Sequence, residues 1–435
     1  MKKLLFFYRE LMATFWFVPV LIIILSVFLP IVIVTLDNSI AIDEEGWYQF
    51  FLVKSTDSAR SILTTISGAM IGVAGTVFSM TLVVLTLASS QFGPRLIKNF
   101  MYVRLNQVVL GSYVATYLYC LQVLNVIKDN GDYVFVPSIS ILVAILITIF
   151  NIILLIIFIH NIATSIQADK VIADISDFTS KQLDSLFAEK MGEAVEEDQD
   201  IDIYSEMLKY QNQISILSPK AGYLQYIDSE SLMEVVQKQD AFLELNHRTG
   251  SYLVKDLEVG IIHVNSSLAE GELDEILDQF VIGKTKTSQQ DLEFSIYQMV
   301  EIAARALSPG VNDPFTAITC IDNLTAAMTH LAQAKFPSKY RFDKEGRLRI
   351  IADVLDFEGV MDAAFNQIRQ FSGGSTAVII RLMEALTIIF KFTKKESHKK
   401  AVQKHAEMVL NKGKLSIKED NDLQDLVEIS NKILG

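Results

Sequence analysis

Two groups of side chains in this 435-residue chain have types and spacings that could do chemistry. The first is Gln298, Glu301, Arg305, Asn312 and Asp313. Glu301 and Arg305 stand four apart, the spacing at which a carboxylate and a guanidinium pair along a helix. With Gln298 before them and Asn312 on the following turn, they form a candidate ligand or subunit contact. The competing reading is structural: an ion pair and a cap that hold a helical hairpin. In it Pro309 and Gly310 take the central positions of a type II turn. Asp313 is then an N-cap and Pro314 a favoured first helical residue. The surroundings offer no nucleophile, base and orienting group together, so no catalytic residue is assigned and the chain is read as a non-enzyme.

The second group is Ser61, Thr65, Gly68, Gly72, Thr76 (or Gly75) and Ser79, continued by Thr86 and Ser90. At helical spacing these make one small, weakly polar stripe along an otherwise apolar segment. Gly68 and Gly72 are a small-xxx-small pair, which lets helix backbones approach closely. Either the stripe lines a narrow, hydroxyl-rich pathway or packs around an oligomer axis, or it packs tightly inside one subunit. No Asp, Glu, Lys or Arg interrupts the apolar segments. That argues against proton-coupled transport and voltage sensing. It leaves open a channel walled by hydroxyls, backbone and apolar gates.

The elements that position these groups follow from composition and hydropathy. The chain is 51% hydrophobic and 20% charged, too apolar for disorder and for an ordinary soluble enzyme. Its net charge of −13 is uneven: residues 1–160 carry +1 and residues 161–435 carry −14. An acidic soluble part argues against nucleic acid as a partner. Four stretches, about 14–36, 61–87, 108–127 and 138–159, are long and apolar enough to cross a bilayer. The third carries Ser112, Thr116, Gln122 and Asn125 and is the weakest, and Asn151 in the fourth reads as an interhelical hydrogen-bonding residue. Loop charge orients them. Lys2, Lys3, Arg9, Arg95, Lys98 and Arg104 face Glu10 alone, whereas the other loops are mainly acidic, so both termini are expected in the cytoplasm.

Beyond span four, no Gly or Pro falls between Pro137 and Gly192, which predicts one long helix running out of the membrane. Residues 161–215 are read as a helical stalk and an acidic linker (Glu193 to Asp202), 216–267 as a small α+β module, and 268–435 as mainly helical. Arg248, in the turn His247 to Gly250, is either an exposed turn residue or an anion contact. Lys394, Lys395, Lys399, Lys400 and Lys404 make a basic patch, read as a solvated face. The two cysteines, Cys120 and Cys320, form no disulfide framework, and no Cys/His spacing reads as a metal site. Phosphate-binding glycine loops, nucleophile elbows and kinase signatures are absent from the sequence, so no cofactor is assigned.

The run Glu301-Ile-Ala-Ala-Arg305-Ala-Leu-Ser-Pro-Gly310-Val-Asn-Asp-Pro-Phe315-Thr-Ala317, with Gln290 and Asp291 ahead of it, resembles the signature of a large family of predicted bacterial inner-membrane proteins of unknown function. Residues 218–228 and the run Ser89 to Arg95 resemble it too. The resemblance covers nearly the whole chain. It implies a plasma-membrane protein with a cytoplasmic C-terminal domain, and no activity or site residue. The sequence therefore predicts a mainly α membrane protein: four transmembrane helices, then a cytoplasmic domain combining a small α+β module and a helical bundle. The expected function is a channel-like or transport-related homo-oligomer whose partner is the lipid bilayer. The alternative is a membrane-anchored sensor or scaffold without conduction.

Overall fold

The structure is a computed structural model. It describes every residue except 1–5, 7, 9, 10, 13, 40–51, 54, 94, 95, 97–102, 130–133, 166, 189–202, 267–269, 288, 289 and 337, and gives only the backbone of 182–188 and 270. The acidic run Glu193 to Asp202, Pro94 and Arg95, and many of the orienting loop charges lie outside the described residues. The chain divides into two compact units, Lys3–Lys170 and Val171–Gly435.

The first unit holds the four membrane helices that the sequence predicts: α1 (Phe17–Ser39), α2 (Thr56–Phe92), α3 (Arg104–Val126) and α4 (Ser138–Ser165). Two-residue strands β1 (Lys128–Asp129) and β2 (Val134–Phe135) pair before α4. At 1.5 Å per residue, the 37 residues of α2 span about 55 Å, well over the ~30 Å hydrocarbon layer. The weak apolarity of α3 has a packing cause. Half of its most apolar stretch is buried, against 17% for α1, and Ser112 and Thr116 meet α4 there, while Asn125 is exposed. Gly111 on α3 permits the contact with α1: a Cβ there would lie 2.9 Å from the Pro19 Cα.

Asn151 on α4 is fully buried and joins three helices, as its place in an apolar span predicts. Its Oδ1 accepts from Ser112 Oγ (2.5 Å), its Nδ2 donates to Thr116 Oγ1 (2.7 Å) and lies 3.7 Å from Met70 Sδ on α2, and its carbonyl accepts from the Tyr113 hydroxyl (2.7 Å). Interhelical bonds of this kind contribute about 0.6–2 kcal/mol in a membrane. Asn151→Leu keeps the volume and removes the side-chain bonds. It is expected to lower stability in detergent by about 1 kcal/mol; an unchanged unfolding midpoint would show that the network adds nothing. Asp37, at the end of α1, closes the free amides at the start of α4 by accepting from Ile139 N (2.8 Å), Ser140 N (2.9 Å) and Ser140 Oγ (2.6 Å). A carboxylate at a helix N-terminus is doubly favoured, by hydrogen bonds and by the helix dipole.

The expected single long helix is not formed. α4 ends at Ser165 and α5 starts afresh at Ala168, running to Ala188. The cause is local. Ser165 Oγ and Thr164 Oγ1 both donate to the Asn161 carbonyl (2.6 and 3.1 Å), and Gln167 N donates to Thr164 O (3.3 Å). Hydroxyls that bond back into the preceding turn weaken and bend a helix, and two adjacent ones stand at this break.

The second unit begins with α5 and the short α6 (Ile203–Met207) and then builds two sheets. Their elements are β3 (Asn212–Leu217), β4 (Gly222–Ile227), α7 (Ser229–Lys238), β5 (Phe242–Leu245), β6 (Tyr252–Leu253), β7 (Glu258–Val264), α8 (Glu270–Leu277) and β8 (Phe280–Gly283). After α9 (Leu292–Ala306) and α10 (Pro314–Gln333) comes the hairpin β9 (Tyr340–Phe342) and β10 (Leu348–Ile351). One sheet has the order β3-β7-β5-β10-β9 and the other β6-β4-β8. β10 enters parallel to β5, with Ile350 opposite Leu243, so the sheets draw on strands beyond residues 216–267. Ile216, Leu243, Leu245, Ile262, Val264 and Ile350 share one face of the larger sheet. They pack on Leu232 and Val236 of α7, Ile276 of α8, and Leu224 and Ile282 of the smaller sheet.

The rest is helical: α11 (Phe357–Phe371), α12 (Thr376–Phe392), α13 (Glu396–Ser416) and α14 (Asp420–Leu434). Asp291, Asp313 and Asp356 cap α9, α10 and α11, each accepting a backbone amide in the first turn. Ser375 precedes α12 without a side-chain cap bond. α13 runs through Gly413 because α14 presses there: an added Cβ would overlap Leu426.

Candidate functional site

The small-residue stripe faces away from its own bundle. Ala59, Leu63, Met70, Ala74, Val77 and Val84 of α2 are buried against the other helices. Ser61, Thr65, Gly68, Gly72, Thr76 and Ser79 are all exposed. At 100° per residue the two sets lie on roughly opposite sides of the helix. A Cβ added to Gly68, Gly72 or Gly75 would meet no atom of the described residues within 4 Å. Among the described residues of its own subunit, this stripe has no packing partner at its glycines. The hydroxyl protons stay on the helix: Thr65 Oγ1 donates to Ser61 O (2.7 Å), Thr76 Oγ1 to Gly72 O (3.3 Å) and Thr86 Oγ1 to Leu82 O (2.9 Å). The same helix also exposes large apolar side chains beside and beyond the stripe, among them Ile71, Phe78, Met80, Leu82, Val83 and Leu87. The outward faces of α1 and α4 carry large side chains too, such as Leu25, Phe28, Phe150 and Ile156.

The motif residues spread along the α9–α10 hairpin. Gln298 is buried in α9, Glu301 and Arg305 are half-buried, and Asn312 is exposed. Asp313 caps α10 through Oδ1 to Thr316 N (3.1 Å) and Oδ2 to Thr316 Oγ1 (2.6 Å). These bonds to Thr316 hold its carboxyl below the usual carboxylate range. The connecting turn is not type II. Its positive φ falls at Asn312 (51°), not at Gly310, and Ser308 O accepts from both Val311 N (3.0 Å) and Asn312 N (2.9 Å). Asn tolerates the left-handed region better than other side chains, which frees Gly310 from that duty.

A cavity of about 160 Å³ lies instead at the other end of α9. Arg248 spans it, Nη2 to Glu293 Oε2 at 2.9 Å and Nη1 to Asp353 Oδ2 at 3.3 Å. Arg248 is thus neither a free anion contact nor an idle turn residue. Thr249 Oγ1 donates to Gln290 O (2.8 Å). The Gln290 amide pairs with the β4 backbone, Oε1 accepting from Ile227 N (3.0 Å) and Nε2 donating to Ile227 O (3.2 Å). Gly250 (φ 91°) passes so close to Asp291 that a Cβ would overlap the carboxyl. Leu292, Phe336, Val354 and Leu355 form the apolar wall. The sequence shows Gln290, Asp291 and Arg248, but the approach of Asp353, over 100 residues from Arg248, depends on the β10–β5 crossover.

Asp291 is 4% exposed, and burial pushes its carboxyl up to about 6, with Lys286 (3.7 Å) and the Phe294 amide opposing that rise. A carboxyl raised from 3.8 favours the fold when protonated. Its contribution is full below about pH 4 and is lost as the pH rises through 6. Asp291→Asn keeps the capping oxygen and cannot ionise. The variant is expected to gain stability relative to wild type between pH 5 and pH 7, by up to ~3 kcal/mol. Unfolding midpoints of both proteins across that range check this, and parallel curves would contradict it.

Among the described residues no three His, Cys, Asp or Glu side chains converge as metal ligands. Comparison with known proteins gives three kinds of result. The chain is similar to Rv1290c, an uncharacterized protein of Mycobacterium tuberculosis strain H37Rv, with 28% identity over 369 residues, covering 84% of this chain and 70% of the relative. The uncharacterized protein Mb1321c of Mycobacterium bovis matches equally, with the same identity and coverage. No solved structure matches. The model of the family described as "Predicted membrane protein (DUF2254)" matches residues 12–387, most of both units, including the four apolar helices and the α9–α10 motif. The chain belongs to this family of predicted membrane proteins.

Proposed function

We propose that the chain forms a homo-oligomer of the bacterial plasma membrane in which α2 surrounds a shared axis. The assembly is channel-like or transport-related, with both termini and the C-terminal unit in the cytoplasm, where that unit regulates it. The observation that carries this reading is the outward stripe of α2, unpacked within its own subunit and lined with glycine, serine and threonine. Ser61, Thr65, Gly68, Gly72, Gly75 and Ser79 alternate intervals of four and three residues. That 3.5-residue repeat is the seam of left-handed helix packing. Small residues along such a seam support close approach of copies, with large apolar side chains such as Phe78 and Met80 flanking it. The excess of Lys and Arg beside spans one and two supports the orientation.

Reconstitution into liposomes tests the pathway. Wild type is expected to pass small ions or solutes, and Gly72→Leu to reduce that flux at least tenfold by forcing the copies apart at the seam. Absence of flux in wild type, or equal flux in both proteins, would remove conduction from the account.

A further inference from the structure

We propose that the cavity beside Arg248 binds a small organic cation, one ammonium or guanidinium group on an apolar body about the size of a single ring. This site lies wholly in the C-terminal unit and is independent of whether α2 lines a pathway.

The charge of the lining argues for a cation. Three carboxyl groups, Asp291, Glu293 and Asp353, border the cavity, and Arg248 is the one basic residue that does. Arg248 divides itself, giving one nitrogen to Glu293 (2.9 Å) and another to Asp353 (3.3 and 3.5 Å) instead of a paired fork to either. Among the described residues Arg248 is the hydrogen-bond partner of both, so each carboxylate keeps most of its accepting capacity. Asp353 is the more loosely held and is one-third exposed, open to a second donor. Lys286 answers Asp291 from outside the lining (3.7 Å), which leaves the Glu293 and Asp353 carboxylates sharing one guanidinium, so an anionic ligand would face an excess of negative charge.

The shape argues for an organic cation in place of a metal. Opposite the charged groups stand Leu292, Phe336, Val354 and Leu355. The volume of about 160 Å³ compares with the roughly 150 Å³ apolar cavity that accepts benzene. A bare metal ion would leave that wall unused, and no three described side chains converge to ligate one.

The probe is benzylammonium, with benzyl alcohol as its uncharged counterpart and benzoate as its anionic one. Each is titrated against the full chain in nanodiscs of uncharged lipid, with saturation-transfer NMR as the readout and empty nanodiscs subtracted. Benzylammonium is expected to bind at least about tenfold more tightly than benzyl alcohol, the worth of one charge-assisted contact, and benzoate not to bind. Asp353→Asn is expected to weaken benzylammonium about tenfold, and Leu355→Trp to abolish its binding by occupying the cavity. No binding of benzylammonium, equal binding of benzyl alcohol, preference for benzoate, or wild-type affinity in both variants would each overturn the proposal. If a variant loses the wild-type unfolding transition, the ranking of the three probes on wild type decides alone.

Discussion

Replacing Asp343 with alanine is expected to destabilise the C-terminal unit by about 3–5 kcal/mol, the usual effect of removing one partner of a buried ion pair. Asp343 and Arg349 are almost completely buried on the β9–β10 hairpin. The Asp343 carboxylate accepts from the amides of Glu345 (3.0 Å) and Arg347 (2.9 Å), from Arg347 Nε (3.1 Å) and from Arg349 Nε (2.9 Å). Arg349 also donates to the Ala241 carbonyl (3.1 Å) and to Asp240 (2.6 Å), which ties the hairpin to the chain entering β5. Without Asp343 the guanidinium keeps one carboxylate, on an Asp240 side chain that is 72% exposed. Denaturant unfolding of the wild type and Asp343→Ala measures the difference. A loss under about 1 kcal/mol would mean that solvent reaches Arg349. Asp343→Leu combined with Arg349→Met should recover much of the loss, because a matched apolar pair no longer buries a lone charge.

The second large effect is on assembly. Gly72→Leu is expected to convert the proposed oligomer to subunits while leaving each subunit folded. The separation follows from the structure: the side chain added at Gly72 projects into open space, so it meets nothing in its own bundle. Light scattering of detergent-solubilised protein should show the mass falling from oligomer to monomer, with the thermal midpoint of the monomer little changed. An unchanged mass would place the subunit interface elsewhere than the stripe.

Much of this was legible in the sequence because local physics decides it. Four apolar runs of membrane length became four helices, and an Asn in the most apolar of them became a hub of hydrogen bonds. The strands of β4, β5 and β7 follow from alternating or β-rich runs, and the Asp313-Pro314 cap from side-chain chemistry alone. The rest depended on three kinds of information that spacing does not hold. Periodicity sees α4 and α5 as one helix, because the break, where two adjacent hydroxyls bond back to the Asn161 carbonyl, leaves the apolar pattern unchanged. A Pro-Gly pair predicts type II geometry, yet Asn312 takes the left-handed conformation. The cavity beside Arg248 needs Asp353 to arrive through a strand that inserts parallel to β5, a long-range pairing invisible to any window of sequence.

The account rests most heavily on where α2 lies in the assembled protein. Electron microscopy of nanodisc particles viewed down the membrane normal measures this directly. The account predicts a closed symmetric ring with α2 innermost and the α1 and α4 faces toward lipid. Isolated subunits, or a two-fold dimer with α2 against lipid and no central gap, would contradict it.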